Sequence, residues 1–168
     1  VVGSETAFQA IDLNEIANSV VDVLAGDIEA TGATVTIDSL PVIDADAMQM
    51  RALLQNLISN AIKFNRDGVP PEIRVSSTKG KQRGGVVLSV QDNGVDIPED
   101  MQDRVFAMFT RLHLHDEFAG AGLGLALCRR IAVNHGGGIK VVSTPDIGSI
   151  FSVDLPIKQP SAQARTRK

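Results

Sequence analysis

The sequence predicts an α/β fold of two layers, in which a mixed, largely antiparallel sheet is covered on one face by helices. Three observations predict it. Segments with helical and with alternating apolar periodicity both occur along the chain. Several of the alternating segments are joined by short polar turns, which favours antiparallel pairing. The helical segments stand between the strand pairs, where they can pack together against one face of a sheet.

The first half of the chain is predicted to contain three short strands and two helices. Asp12 followed by Glu15 is a capping signal for the first helix, which should end near Gly32. Asp46 can cap the second. The predicted elements are a strand over 8–13, one helix from there to about 32, strands over 33–37 and 41–43, and a helix from 47 to about 65.

The second half is predicted to alternate strand pairs with helices. Pro98 suits the first turn of a short helix, and the three glycines 136–138 end the last long one. Residues 109–122 have no clear period, and loops of this length are often functional lids. The predicted elements are strands over 72–78 and 86–91 forming a hairpin, a helix from about 98, a helix over 123–134, and strands over 139–143 and 149–155.

Composition bounds the class of protein. The chain has 168 residues, 43% of them hydrophobic and 21% charged, which suits one globular domain over residues 1–157. A single cysteine excludes a disulfide framework, and Cys128 is interpreted as a small core residue. No apolar run approaches the roughly 20 residues that span a bilayer, and no signal peptide opens the sequence.

Charge is unevenly distributed. Residues 158–168 carry four basic and no acidic side chains and are predicted to form a disordered tail. The rest has 12 basic against 20 acidic residues, a charge of −8, which argues against nucleic-acid binding. His113 and His115 are too few to indicate a metal site. His135, at the end of a helix, is interpreted as an imidazolium favoured by the helix dipole.

Three polar residues lie on one flank of the second long helix. Asn56, Asn60 and Lys63 follow the i, i+4, i+7 spacing, beside an apolar stripe. Amide oxygens can ligate Mg²⁺, and a lysine can neutralise phosphate. A solvated polar flank without function is the alternative. The stripe itself consists of Met50, Leu53, Leu54, Leu57, Ile58 and Ala61.

A carboxylate continues the apolar face of the strand over 86–91. Asp92 shares the face of Val86, Leu88 and Val90, where an unpaired charge is expensive. The exocyclic amine of a bound base would satisfy it. The alternative is a carboxylate that only caps the turn at Asn93–Gly94.

A run of glycines opens the last long helix. Gly120, Gly122 and Gly124 alternate with apolar residues. A helix N-terminus offers free N–H groups to an anion. The run is not a Walker loop, because no Gly-Lys-Ser/Thr follows it.

Together these segments resemble the motifs of sensor histidine kinases. The amino-acid sequences of residues 109–113 and 126–131 are similar to those of phytochrome-type kinases. The resemblance covers about residues 8–157 and implies the Bergerat ATP-binding fold. The matching segments are 54–64 for the N box, 92–97 and 120–125 for the two glycine boxes, 106–109 for the F box, and 148–151 for the last Gly-Ser/Thr-x-Phe element.

The resemblance implies a role for each matching residue. Asn60 would coordinate Mg²⁺ with assistance from Asn56, Lys63 would contact phosphate, and Asp92 would accept the adenine amine while Gly94 lets the backbone approach the base. Residues 106–120 would form a lid over ATP. The remaining nucleotide-binding residues implied are Asp96, Ile97, Phe109, Gly120, Gly122, Leu123, Gly124 and Ser149.

Two departures from the family pattern bear on function. Asp96 stands where the family usually has a second glycine, and its charge would oppose phosphate. A nucleotide-weak pseudokinase or interaction module on the same fold is therefore the alternative. A different ATPase of the superfamily is less consistent with so short a lid. No phosphoacceptor segment of the form H-E-[LF]-R-x-P occurs in the chain.

The resemblance also implies partners and a location. The γ-phosphoryl of ATP would pass to a histidine on a separate dimerisation domain, and a response regulator would receive it next. The expectations are a monomeric domain in the cytoplasm that contacts neither membrane nor nucleic acid.

Overall fold

The computed structural model describes residues 7–81, 84–102, 104–106 and 121–159, with the backbone alone for 121–123. The elements in chain order are β1 Gln9–Asp12, α1 Leu13–Val23, α2 Ala25–Thr31, β2 Thr34–Ile37, β3 Val42–Ala45, α3 Ala47–Lys63, β4 Glu72–Lys79, β5 Gly85–Asp92, α4 Glu99–Gln102, a 3₁₀ turn Arg104–Phe106, α5 Ala121–Asn134, β6 Gly138–Thr144 and β7 Gly148–Pro156.

Five strands form the main sheet in the order β2-β4-β5-β7-β6. Only β2 and β4 pair in parallel, and the other neighbours are antiparallel. The two-layer, largely antiparallel α/β fold predicted from the sequence is therefore confirmed. The strands β1 and β3 pair with each other outside this sheet, with Ile11 opposite Ile43.

The prediction of one continuous helix from Asp12 to Gly32 is wrong. The helix breaks at Leu24, whose backbone angles are φ −91° and ψ 7°. Leu24 is buried there, and its carbonyl accepts from the N–H of Ile28 at 2.9 Å, which begins the hydrogen-bonding of α2. The end of α2 is as predicted, because Gly32 adopts φ +70°.

Helix α3 is the centre of the helical layer. Its predicted apolar stripe is buried throughout, and Asp46 caps it by accepting from the N–H of Gln49 at 3.0 Å. It packs against α1 on one side and α5 on the other. The polar flank of α3 faces the start of α5, since a Cβ on Gly124 would lie 2.8 Å from the Oδ1 of Asn56 and 3.9 Å from the Nδ2 of Asn60.

His135 is a buried neutral base, so its interpretation as an imidazolium is wrong. Its Nδ1 lies 2.8 Å from the carbonyl of Ile131, and its Nε2 accepts from the N–H of Asp46 at 3.1 Å. Burial lowers the pKa of the imidazole, against the raising effects of the Ile131 carbonyl and the Asp46 charge. The ring also meets Phe8 edge-on at 5.2 Å between centroids. His135 thus connects the C-terminal end of α5 to the N-terminal end of α3.

The stability of the chain should therefore fall below about pH 6.5. The imidazole of the unfolded chain binds a proton there, while that of the folded chain resists it. At one pH unit lower, the free energy of unfolding should therefore be smaller by up to about 1 kcal/mol. Urea unfolding at pH 7.5 and 5.5 measures the loss, with His135→Gln as the control because its amide does not titrate. Equal losses in the two proteins would contradict the assignment.

The described chain ends at Gln159, two residues beyond the boundary predicted at 157. The side-chain amide of Gln159 donates to the carbonyl of His135 at 2.7 Å. Residues 160–168 lie outside the described ranges, so the disordered tail stays a prediction. Among the helices of the described ranges, none is both long and apolar enough to cross a membrane.

Candidate functional site

A cleft opens between the end of α3, the loop after β5, the start of β7 and helix α5. Its volume is about 570 Å³, open mouth included. Most of the surface is apolar, and two polar side chains identified from the sequence, Asn60 and Asp92, both line it. The complete lining is Asn60, Ala61, Phe64, Asp92, Val95, Asp96, Ile97, Pro98, Met101, Val105, Leu125, Ser149 and Phe151.

Asp92 ends β5 and lies directly opposite Ser149 of β7. Burial raises the pKa of its carboxyl, and three weaker effects oppose this: hydrogen bonds from the backbone N–H groups of Gly94 and Ser149, and the charge of Arg66. The Gly94 bond measures 2.9 Å. A half-buried carboxylate in an apolar cleft is poised to accept a donor from a ligand.

Gly94 permits a close approach of two backbone segments. A Cβ at this position would lie 2.4 Å from the carbonyl oxygen of Phe64. The same carbonyl accepts from the N–H of Val95 at 2.9 Å, and the Nε of Arg66 donates to the carbonyl of Gly94 at 3.0 Å. The glycine is thus required by the contact with the end of α3. Its approach to a base stays a prediction.

Asp96 and Ile97 form the rim of the cleft. Asp96 is exposed. Its φ is not positive, because Asp146 is the one non-glycine residue in the described ranges with a positive φ. Position 96 therefore makes no conformational demand for glycine, and the aspartate fits the turn without backbone strain. Ile97 is half-buried, and its N–H donates to the Oγ of Ser143 at 2.8 Å.

The two amides on α3 differ in their surroundings. Asn60 is 9% exposed, and its buried Nδ2 has no hydrogen-bond partner. The Nδ2 of Asn56 donates to the carbonyl of Ala52 at 2.7 Å, while its Oδ1 lies 2.8 Å from where a Cβ on Gly124 would be. Lys63 is exposed at the end of α3 and is not among the lining residues.

A bound Mg²⁺ fits these residues only together with a ligand that supplies further oxygens. The residues described contain no cluster of three or more His, Cys, Asp or Glu side chains that could hold a cation. The amide of Asn60 is buried and unsatisfied, and its two ends can exchange by rotation, so its oxygen is available as a ligand. Mg²⁺ is commonly held by few protein ligands plus phosphates and water.

Helix α5 begins two residues earlier than predicted. Its backbone is helical from Ala121, so Gly122 and Leu123 lie in the first turn, and Gly124 packs that turn against Asn56. The first four N–H groups of a helix have no intrahelical partner. Their use by phosphate stays a prediction. The lid is predicted over 106–120, and all of it except Phe106 lies outside the described residues, Phe109 and Gly120 included.

Arg66 and Gly148 help to build the cleft, although the sequence predicts no individual role for either. Arg66 holds Gly94. Phe106, predicted to begin the lid, belongs to the 3₁₀ turn and packs edge-on against Phe151 at 5.9 Å between ring centroids. Gly148 brings β7 against Asp92. Gly148 belongs to the last Gly-Ser/Thr-x-Phe element, and a glycine in a strand often marks a close backbone approach. Nothing local marks Arg66, because its partner lies 28 residues away.

Comparison with known sequences gives a family and relatives. Residues 45–159 match the family described as histidine kinase-, DNA gyrase B-, and HSP90-like ATPase. The chain is 38% identical over 146 residues to a phytochrome-like protein, Cph1, of Synechocystis, an alignment over 87% of this chain and 19% of that protein. It is 42% identical over 125 residues to the adaptive-response sensory kinase SasA of Prochlorococcus marinus, over 74% of this chain and 33% of the kinase.

Solved structures share the fold. ShkA, solved at full length in complex with AMPPNP, superposes with a TM-score of 0.78 at 26% identity, over 95% of this chain and 33% of that one. The catalytic domain of the histidine kinase ThkA gives 0.75 at 25% identity, over 92% and 99%. This chain therefore corresponds to one domain of these relatives, about a fifth of Cph1 and a third of SasA.

Proposed function

The chain belongs to the family of histidine kinase-, DNA gyrase B- and HSP90-like ATPases, and we propose that it is the ATP-binding catalytic domain of a two-component sensor histidine kinase. In this proposal it binds Mg-ATP in the described cleft and transfers the γ-phosphoryl group to a histidine on a separate dimerisation domain. Membership of the family confirms the resemblance that the sequence motifs suggested.

One observation carries the proposal: Asp92 and Asn60 line the same cleft. A nucleotide needs an acceptor for its base and a polar rim for its phosphates and metal, separated by an apolar wall for the ring. Asp92 supplies the first and Asn60 the second, while Ile97, Leu125 and Phe151 supply apolar surface. The first turn of α5 meets the amide pair at Gly124, which brings free N–H groups to the phosphate side.

The residues of this chain act by binding and orienting. The carboxylate of Asp92 holds the base through a charge-assisted hydrogen bond. Asn60 would hold Mg²⁺, which neutralises charge on the phosphates when bound. The exposed Lys63, at the end of the same helix, would contact phosphate. Catalysis would rest on this positioning, because phosphoryl transfer asks little covalent chemistry of the protein.

The partners belong to the same proposal. ThkA has been solved in complex with the response regulator TrrA, and we infer a response regulator as the next acceptor for this protein as well. We further propose a cytoplasmic domain that is monomeric in isolation and contacts neither membrane nor nucleic acid. None of the findings favours the alternative of a nucleotide-weak interaction module.

Replacing Asn60 by alanine tests the proposal at the metal. Asn60→Ala should weaken ATP binding in Mg²⁺ by at least about tenfold, because it removes a metal ligand, and should change binding little in EDTA. Its Nδ2 makes no hydrogen bond, so the substitution should not lower stability.

Calorimetry with Mg-ATP and with ATP in EDTA provides the comparison. Asn134→Ala is the matched control, because it removes an exposed amide at the far end of α5. Failure of the unmodified chain to bind Mg-ATP would overturn the proposed function. Equal losses in both buffers would mean that Asn60 is a structural residue.

Replacing Asp96, whose carboxylate lies on the rim of the cleft, should strengthen ATP binding, by less than Asn60→Ala weakens it. If Asp96 repels the phosphates, Asp96→Gly should bind ATP about two- to fivefold more tightly at low salt, and ADP less so. Asp96→Asn should gain equally, since the backbone at 96 needs no glycine. Titrations at two salt concentrations separate the causes. A gain in the glycine variant alone would indicate backbone geometry instead of charge.

A further inference from the structure

The hydroxyl of Ser143 is a junction of three chain segments beside the cleft. Its Oγ accepts from the N–H of Ile97 at 2.8 Å and from the Oγ of Ser149 at 2.9 Å, and it lies 3.4 Å from the carbonyl of Gly148, toward which it donates. A serine hydroxyl has one hydrogen and two lone pairs. All three are engaged, by partners 46, 6 and 5 residues away.

Each partner of Ser143 bears on the cleft. Ile97 and Ser149 both line it, whereas Ser143 does not. Ser149 is 2% exposed and lies directly opposite Asp92 in the sheet, and its backbone N–H lowers the pKa of that carboxyl against the effect of burial. Ser143 therefore connects the rim at Ile97 to the strand that orients the predicted base acceptor.

The other long-range tethers of the loop after β5 act before Ile97, and the carbonyl of Ile97 accepts from the side-chain amide of Gln102 on α4 at 3.1 Å. Asn93 accepts from the N–H of Glu72 at 2.8 Å, Arg66 holds Gly94, and the carbonyl of Phe64 holds Val95. The bond to Ser143 is the one among these that ties Ile97 to the main sheet, at β6. Without it, the N–H of Ile97 and the hydroxyl of Ser149 would both lose their partner.

We propose that Ser143 is a positioning residue for nucleotide binding, which holds the Ile97 rim and Ser149 in the arrangement that receives the base. The inference rests on the proposed function. Ser143 acts on the base side of the cleft, so its loss should affect ATP and ADP alike and should not depend on Mg²⁺. This pattern differs from that expected for Asn60, where the effect appears only with the metal.

Calorimetry on the whole 168-residue chain tests the proposal. Ser143→Ala should bind both ATP and ADP about three- to tenfold more weakly, the usual range for losing one or two hydrogen bonds. Ser143→Thr keeps the hydroxyl and should restore affinity to within about twofold of the unmodified chain. Ser152→Ala on β7 is the matched control and should bind normally. Melting of each variant without ligand ensures that only folded protein is compared.

The outcomes separate the two levels of the proposal. Unmodified chain that fails to bind Mg-ATP overturns the proposed function and this inference with it. Normal binding by the unmodified chain and by Ser143→Ala overturns the inference alone. A loss in Ser143→Ala that the threonine does not restore, or that Ser152→Ala shares, also overturns it. A threonine-restored loss, equal for ATP and ADP and absent from Ser152→Ala, supports it.

Discussion

An Asp92→Asn variant should bind ATP between about tenfold and a hundredfold more weakly than the unmodified chain. The carboxylate is an acceptor only, and a charge-assisted hydrogen bond contributes roughly 1.5–3 kcal/mol. The asparagine amide carries no charge, and it can turn its NH₂ donor instead of its oxygen toward the adenine amine. ADP carries the same base and should lose as much.

Stability without ligand separates this loss from unfolding. Because burial raises the pKa of Asp92, the folded state favours the protonated carboxyl, and the charged form costs stability as the pH rises above 3.8. At neutral pH, Asp92→Asn should therefore melt at the same temperature as the unmodified chain or higher. Unchanged affinity for both nucleotides would contradict the role of Asp92 in base binding. Weakened binding with a lowered melting temperature would assign it a structural role.

The parts of the site that the sequence predicted are those with local periodicity. The apolar stripe of α3 is visible because every third or fourth residue is apolar, and burial of Leu53, Leu54 and Leu57 follows from it. The same spacing puts Asn56 and Asn60 on one flank. That this flank faces the cleft of Asp92 is a tertiary fact, and only the resemblance to known motifs indicated it.

The parts that the sequence did not predict depend on contacts between distant residues. Arg66 and Ser143 are ordinary polar residues until the fold brings them to Gly94 and Ile97. The place of His135 at the end of a helix predicts a charged imidazole, but burial lowers its pKa and its Nε2 accepts a hydrogen bond, which requires the neutral ring. The break at Leu24 interrupts an apolar helical pattern that continues through it, and Gly26, two residues further on, is the nearest residue of low helix propensity.

Gly148 combines two constraints that alanine cannot meet. A Cβ at this position would lie 1.9 Å from the carbonyl oxygen of Asp92 and 2.8 Å from the Cα of Asn93, and both obstacles are backbone atoms. Its φ of +138° also lies in the region that side chains rarely adopt. Neither constraint can be relieved by a rotamer change, so the start of β7 must move away from the end of β5.

Gly148→Ala should therefore lower the free energy of unfolding by about 3 kcal/mol or more, since overpacking alone costs roughly 1–3 kcal/mol and backbone strain adds to it. Urea unfolding measures the loss. Gly138→Ala is the matched control, because a Cβ there meets nothing within 4 Å and should cost little. The folded fraction of Gly148→Ala should also bind ATP weakly, because moving the start of β7 displaces Ser149, which lies directly opposite Asp92. Stability equal to that of Gly138→Ala would show that β7 reaches Asp92 less closely than the distances imply, and the orientation of the carboxylate would then need another cause.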